Sequence, residues 1–166
     1  MKRTVIAFAS LLALVGMLGS VASATSGAHF FSASGSIDNN GGLRLAWDEA
    51  GLGTGQVTYS ATADNSVTYA CINGGNNHPS ASNKETAQGP VSNPLGSFIP
   101  KGGRVQASNV GPLGPIGAGS FTCPNGQSLV LARVSYSNIV LTDSTNHVSI
   151  NIAPLCRSLS ALFPCP

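Results

Sequence analysis

Along most of this chain apolar residues recur at every second position. Leu43, Leu45 and Trp47 alternate with Arg44, Ala46 and Asp48, as in a strand buried on one face and wet on the other. The preceding Asn39-Asn40-Gly41-Gly42 supplies a turn. Asp38-Asn39-Asn40-Gly41 reads as an Asx turn rather than a calcium loop, since the later bidentate Glu is missing. Val57, Tyr59, Ala61 and Ala63 alternate with Thr58, Ser60, Thr62 and Asp64, and Val67, Tyr69 and Cys71 follow. Asp64-Asn65 between the two runs predicts a hairpin, because Asp and Asn tolerate the positive φ of a tight turn. Val105 and Ala107 mark a weaker strand. From Ser128 to Asp143, Val130, Ala132, Val134, Tyr136 and Val140 fall on one face, interrupted by Asn138. At about 3.3 Å per residue such a strand is long, which predicts a bulge or bend near residues 135–137. Asp143-Ser144-Thr145-Asn146 then turns the chain into Val148, Ile150 and Ile152, a second hairpin.

Outside the N-terminus, Gly, Pro and β-branched residues are too frequent for a helical period. Only residues 155–163 suggest a short helical turn. The pattern predicts an all-β fold of six to eight strands, a two-sheet antiparallel sandwich, immunoglobulin-like or related, stapled by disulfides. The antibody order of Cys, Trp and Cys is missing, because Trp47 precedes both Cys71 and Cys123. Tyr69 stands two residues before Cys71, the spacing of a tyrosine corner, but at the first cysteine rather than the second.

The N-terminus differs from the rest. Lys2 and Arg3 precede an apolar run over residues 5–18, and Val21-Ala22-Ser23-Ala24 places small residues where a signal peptidase needs them. Residues 1–24 are therefore expected to be a signal peptide, 25–153 the β-sandwich domain, and 154–166 a disulfide-clipped tail. Without Lys2 and Arg3 the six remaining bases, scattered singly, equal the six acids. Nucleic acid and anionic membrane are unsupported as partners, since both need basic residues gathered on one face. The expected location is extracellular.

Cys71, Cys123, Cys156 and Cys165 all follow the signal segment, and an even count in an exported chain reads as two bridges. Three pairings are open. Cys71 with Cys123 and Cys156 with Cys165 is favoured, because the last two are close enough to clip the tail. The spacings lack a Cys-x2-4-Cys pair, and His29, His78 and His147 are far apart in sequence, so neither zinc nor another cofactor is expected.

The candidate binding site is the polar segment after Cys71, with Asn73, Asn76, Asn77, His78, Asn83 and Lys84. Amides both donate and accept, and loops on a rigid scaffold often bind ligands. The same residues also suit plain turn geometry. No catalytic constellation is present: Gly-x-Ser-x-Gly is missing, Asp48 and Glu49 point to opposite faces of a strand, and His78 is the best base on offer. Residues 111–119, Gly-Pro-Leu-Gly-Pro-Ile-Gly-Ala-Gly, read as a connector from which Leu113 and Ile116 pack on the sandwich edge.

Glu49-Ala50-Gly51-Leu52-Gly53, Tyr69-Ala70-Cys71-Ile72-Asn73-Gly74-Gly75, His78-Pro79, Asn83-Lys84, Cys123-Pro124-Asn125-Gly126-Gln127 and Val134-Ser135-Tyr136 together resemble a group of small secreted proteins of actinobacteria and related soil bacteria. The resemblance spans about residues 30–152 and implies export and a single domain; it transfers no activity. The expectation is a secreted module that binds a polysaccharide, cell-wall or protein ligand. The alternative is a secreted protease inhibitor presenting a rigid loop near a disulfide, and a hydrolase using His78 ranks below both.

Overall fold

Period-two patterning emerges as eight strands over residues 27–73 and 83–166, which are those the computed structural model describes. They are β1 (His29–Ile37), β2 (Leu43–Ala50), β3 (Val57–Ile72), β4 (Lys84–Phe98), β5 (Arg104–Leu113), β6 (Ser128–Asp143), β7 (Val148–Ile152) and β8 (Leu155–Ser158). One sheet has the order β1-β2-β5. In the other, β3 lies between β4 and β6, and both β7 and β8 pair with β6. All pairings are antiparallel. The sheets face each other as a sandwich, with Leu43, Leu45 and Trp47 of β2 meeting Tyr59, Ala61 and Val67 of β3 and Val134, Tyr136 and Leu141 of β6 in one core. The predicted signal segment lies outside the described residues.

Asp64 and Asn65 do not form the expected hairpin. β3 runs through them as one strand, paired with β4 on one side and β6 on the other. The alternation of buried odd positions continues across Ala63, Asn65 and Val67, so Asn65 takes a core position instead of a turn position. It is only 2% exposed. Its Nδ2 donates to Ser135 O at 3.0 Å and its Oδ1 accepts from Ile116 N at 2.9 Å. Both functions of the amide are thereby satisfied.

β6 is as long as expected, and the expected bulge lies directly after residues 135–137, with a second irregularity further upstream. Thr62 pairs Val140 while Asp64 pairs Ser137, so one extra residue enters β6 around Asn138, which has φ 49°. Another enters at Ala132, between the Thr68–Arg133 and Tyr69–Leu131 pairs. The bulge at Asn138 inverts the alternation. Before it Ala132, Val134 and Tyr136 are buried; after it Ile139, Leu141 and Asp143 are. Val140 therefore points away from the face assigned to it.

β1 and β4 had no clear signal, and residues 155–158, expected in a helical turn, form β8 against residues 133–136 of β6. β4 contains Pro90 and Pro94, which an edge strand tolerates because one side needs no ladder hydrogen bonds. The first three residues of the expected connector belong to β5. Leu113 is buried, and Tyr136 Oη lies 2.9 Å from its carbonyl oxygen and 2.8 Å from that of Gly41, its single proton shared between the two. Gly41 closes the Asx turn, in which Asp38 Oδ1 accepts from the backbone of Asn40 and Gly42, both at 2.9 Å. At φ 83° a side chain there would strain the backbone and would have to displace the tip of Leu131, 2.5 Å from an added Cβ.

The bridges are Cys71–Cys123 and Cys156–Cys165, as expected. The first ties the end of β3 to the segment leading into β6; the second closes the tail onto β8. With sequence separations of 52 and 9, loop entropy assigns them about 4 and about 2.5 kcal/mol. Double Cys→Ala replacement of the first pair is expected to lower the denaturation midpoint more than that of the second. Asn65→Ala is expected to cost about 2–3 kcal/mol, because it strips partners from Ser135 O and Ile116 N. Urea unfolding measures both, and an unchanged midpoint for Asn65→Ala would refute the clamp.

Candidate functional site

Six residues of the polar segment were candidates, and three of them, Asn76, Asn77 and His78, lie outside the described residues. Asn73 directly follows β3. On the returning side Asn83 Nδ2 contacts Gln127 Oε1 at 3.4 Å, and Lys84, which opens β4, holds its Nζ 5.8 Å from the centre of the Phe163 ring. Both stems are therefore anchored: the outgoing one by the Cys71–Cys123 bridge, the returning one by the loop before β6 and by the tail. Nearby, a cleft of about 330 Å³ opens between Ile72, Val130 and Leu131 on the sheet and Leu159, Ser160 and Leu162 of the tail.

The core also holds an acidic pair, Glu49 and Asp143. Alternation along β2 sends Leu43, Leu45, Trp47 and then Glu49 inward, and the inverted alternation after Asn138 sends Asp143 inward from β6. Neither side chain has exposed surface. Tyr59 Oη donates to Glu49 Oε2 at 2.6 Å. Asp143 accepts from Thr145 N at 2.7 Å, Asn146 N at 3.0 Å and Asn146 Nδ2 at 2.6 Å. Glu49 Oε1 is buried with no hydrogen-bond partner. Burial out of water pushes the Glu49 carboxyl up to about 7; the Tyr59 hydrogen bond opposes this and the charge and hydrogen bond of Asp143 reinforce it. Burial, then Glu49, raise the Tyr59 hydroxyl well above its ordinary value.

Asp48, one residue earlier, faces solvent. Its carboxylate takes two hydrogen bonds from Arg104 and one from Gln106 Nε2 at 3.1 Å, and these, Arg104 foremost, hold it below the usual carboxylate range. Adjacent carboxyls thus have opposite fates, as strand geometry requires. The signal for Glu49 was legible in its parity with Trp47. That for Asp143 was hidden by the bulge. Among the described residues no three His, Cys, Asp or Glu side chains gather as a metal would require.

The pair makes stability depend on pH. Unfolded, Glu49 loses its proton near pH 4.5; folded, it keeps it to about 7. Between those values the folded chain holds one more proton, so unfolding free energy falls as pH rises, by roughly 1.4 kcal/mol per unit and about 3 kcal/mol in all, then levels off. Glu49→Gln imitates the protonated form, donating to Asp143 and accepting from Tyr59. Denaturant titrations across this range are expected to show that slope in the parent and its loss in Glu49→Gln, with the variant more stable at pH 8. A parent curve that is flat or rises would refute the assignment.

No protein-family model matches the chain, and no curated protein or solved structure matches it.

Proposed function

We propose that this chain is an extracellular binding module, a disulfide-tied sandwich that presents the segment between Cys71 and Lys84 to a polysaccharide, cell-wall or protein ligand. The observation that carries the reading is the anchoring of both stems, by Cys71–Cys123 on one side and by Asn83–Gln127 and Lys84–Phe163 on the other. A segment held at its ends loses less conformational freedom when it engages a ligand. The two bridges also accord with an oxidising compartment, as does the basic-then-apolar N-terminus with its small-residue cleavage site. The resemblance to small secreted actinobacterial proteins belongs to the same reading. Sealing of Glu49 and Asp143 in the core favours binding over catalysis, since no substrate can reach that pair.

The brace beside Cys71 equally suits a protease inhibitor, whose reactive loop must be held rigid from its stems. One set of measurements separates the two. The full chain, bridges formed, is incubated with wall fractions, insoluble polysaccharides and purified secreted proteins, and in parallel with serine and metalloproteases. Retention that falls about tenfold on replacing Asn76, Asn77 and His78 by Ala is the expected result, a loss of about 1.4 kcal/mol. Slowed proteolysis without retention would move the function to inhibition, and neither effect would remove both readings.

A further inference from the structure

We infer that the end of the sandwich opposite Cys71 carries a saccharide-binding site built on Phe31, and that its ligand is an uncharged polysaccharide. This goes beyond the function proposed above, which rests on the segment at the other end of β3. The two ends are separated by the length of β3: Val57 pairs Phe98 at its start, whereas Ala70, beside Cys71, pairs Lys84 near its finish.

Phe30 and Phe31 are neighbours that serve opposite sides of β1. Register shifts between Phe30 and Ser32, and such a bulge re-aims a side chain. Phe30 packs edge-on against Tyr59 with ring centres 6.4 Å apart. Phe31 is turned outward and is 62% exposed, the opposite of what an aromatic ring gains by folding. The Arg104 guanidinium lies 5.0 Å from its ring centre. Arg104 is itself held by both oxygens of Asp48, and Gln106 binds the same carboxylate. The Phe31 ring thus lies beside the His29 ring, 4.9 Å away between centres, and the Arg104 guanidinium, which is itself bonded to Asp48 together with Gln106.

Next to them, where residues 99–103 cross from β4 to β5, lies a cleft of about 400 Å³ lined by Phe98, Ile99, Lys101, Arg104, Val105 and Gln106, within the roughly 300–1,000 Å³ of small-ligand sites. Ile99 is 71% exposed at its rim. Phe98 in its wall packs on Trp47 at 5.4 Å and Tyr59 at 5.6 Å, which ties the cleft to the core.

This combination selects a ligand class. A pyranose ring offers an apolar C–H face for Phe31 and adjacent hydroxyls for the amide, guanidinium and carboxylate beside it. Asp48 and Arg104 neutralise each other, which leaves Lys101 as the one unbalanced charge on the lining, less than the cluster of like charges that recognition of a charged polymer uses. A folded protein partner would need about 800 Å² of matching surface, and two exposed apolar side chains fall well short of an interface core.

The test uses the full chain with its bridges formed, in affinity electrophoresis through soluble neutral glucans and in sedimentation with cellulose and chitin. Retention by at least one of these is expected, insensitive to added salt and weakened about tenfold or more by Phe31→Ala. Gln106→Ala, which keeps the ring, is expected to weaken it as well, and Leu129→Ala, an exposed apolar residue elsewhere, to leave it unchanged. Circular dichroism confirms that each variant folds. Absence of retention on every neutral polysaccharide overturns the inference, as does retention that survives both Phe31→Ala and Gln106→Ala, or that appears only with charged polymers and vanishes with salt. Loss on His78→Ala but not on Phe31→Ala would place the ligand at the other end, overturning this site while leaving the module reading intact.

Discussion

The pairing of β3 along both of its edges is the constraint on which the remaining structure depends. Between Val57 and Ile72 this strand is bonded to β4 on one side and β6 on the other. A strand flanked on both edges cannot slip by one residue without turning its buried set to solvent. That fixes where Tyr59 enters the core, where Asn65 meets the 111–116 segment, and where Cys71 stands to reach Cys123. Had the chain turned back at Asp64-Asn65, the two ends would have been brought together instead of held apart by the length of the strand.

Two polar intrusions lie on the inner side of this frame. Asn65 binds Ser135 within its own sheet and Ile116 in the segment that follows β5. Tyr69 Oη reinforces that attachment by donating to Ile116 O at 2.8 Å. The Glu49–Tyr59–Asp143 group joins β2 to β3 and β6 across the sandwich. Buried polar groups are costly unless every partner is present. Here a phenol, a turn that aims three donors at Asp143 and a proton retained on Glu49 offset part of that cost, while Glu49 Oε1 stays without a hydrogen-bond partner. The core consequently contains an element sensitive to acid and base although the surface carries little charge.

Much of this architecture was legible in the alternation itself: β2, both halves of β3, the 128–143 strand, the β6–β7 hairpin and both bridges. The failures have physical causes. β4 is an edge strand rich in Gly, Pro and hydroxyl residues, so it needs neither apolar alternation nor a full ladder, and it carries no periodic mark. Strand length pointed to a bulge close to Asn138, but not to the position at which parity changes, because that is a property of the pairing. Asp64-Asn65 read as a turn from composition, although the odd-position run through it was unbroken; local preference yielded to tertiary pairing. Of the candidate site, the anchoring of Asn83 and Lys84 depends on Gln127 and Phe163, contacts between distant parts of the chain. Phe31 could not be assigned outward from sequence, because two adjacent phenylalanines leave open which one is buried.

The placement of charge limits how this surface can recognise anything. Glu49 and Asp143 are buried, Asp38 is held by Arg44, Asp48 by Arg104, and Asp64 accepts from Asn138. Arg157 reaches Ile37 O and Asn39, and Arg133 reaches Pro164 O. Most charges are thus occupied within the fold, and the outward side chains of β3 around them are largely hydroxyls: Thr58, Ser60, Thr62 and Ser66. Long-range electrostatic steering needs an excess of one sign, which this distribution does not provide. Recognition is left to short-range hydrogen bonds and to the few exposed rings and aliphatic groups. Such contacts depend on fixed geometry, and rigid strand pairing with bridges at one end is the kind of scaffold that supplies it.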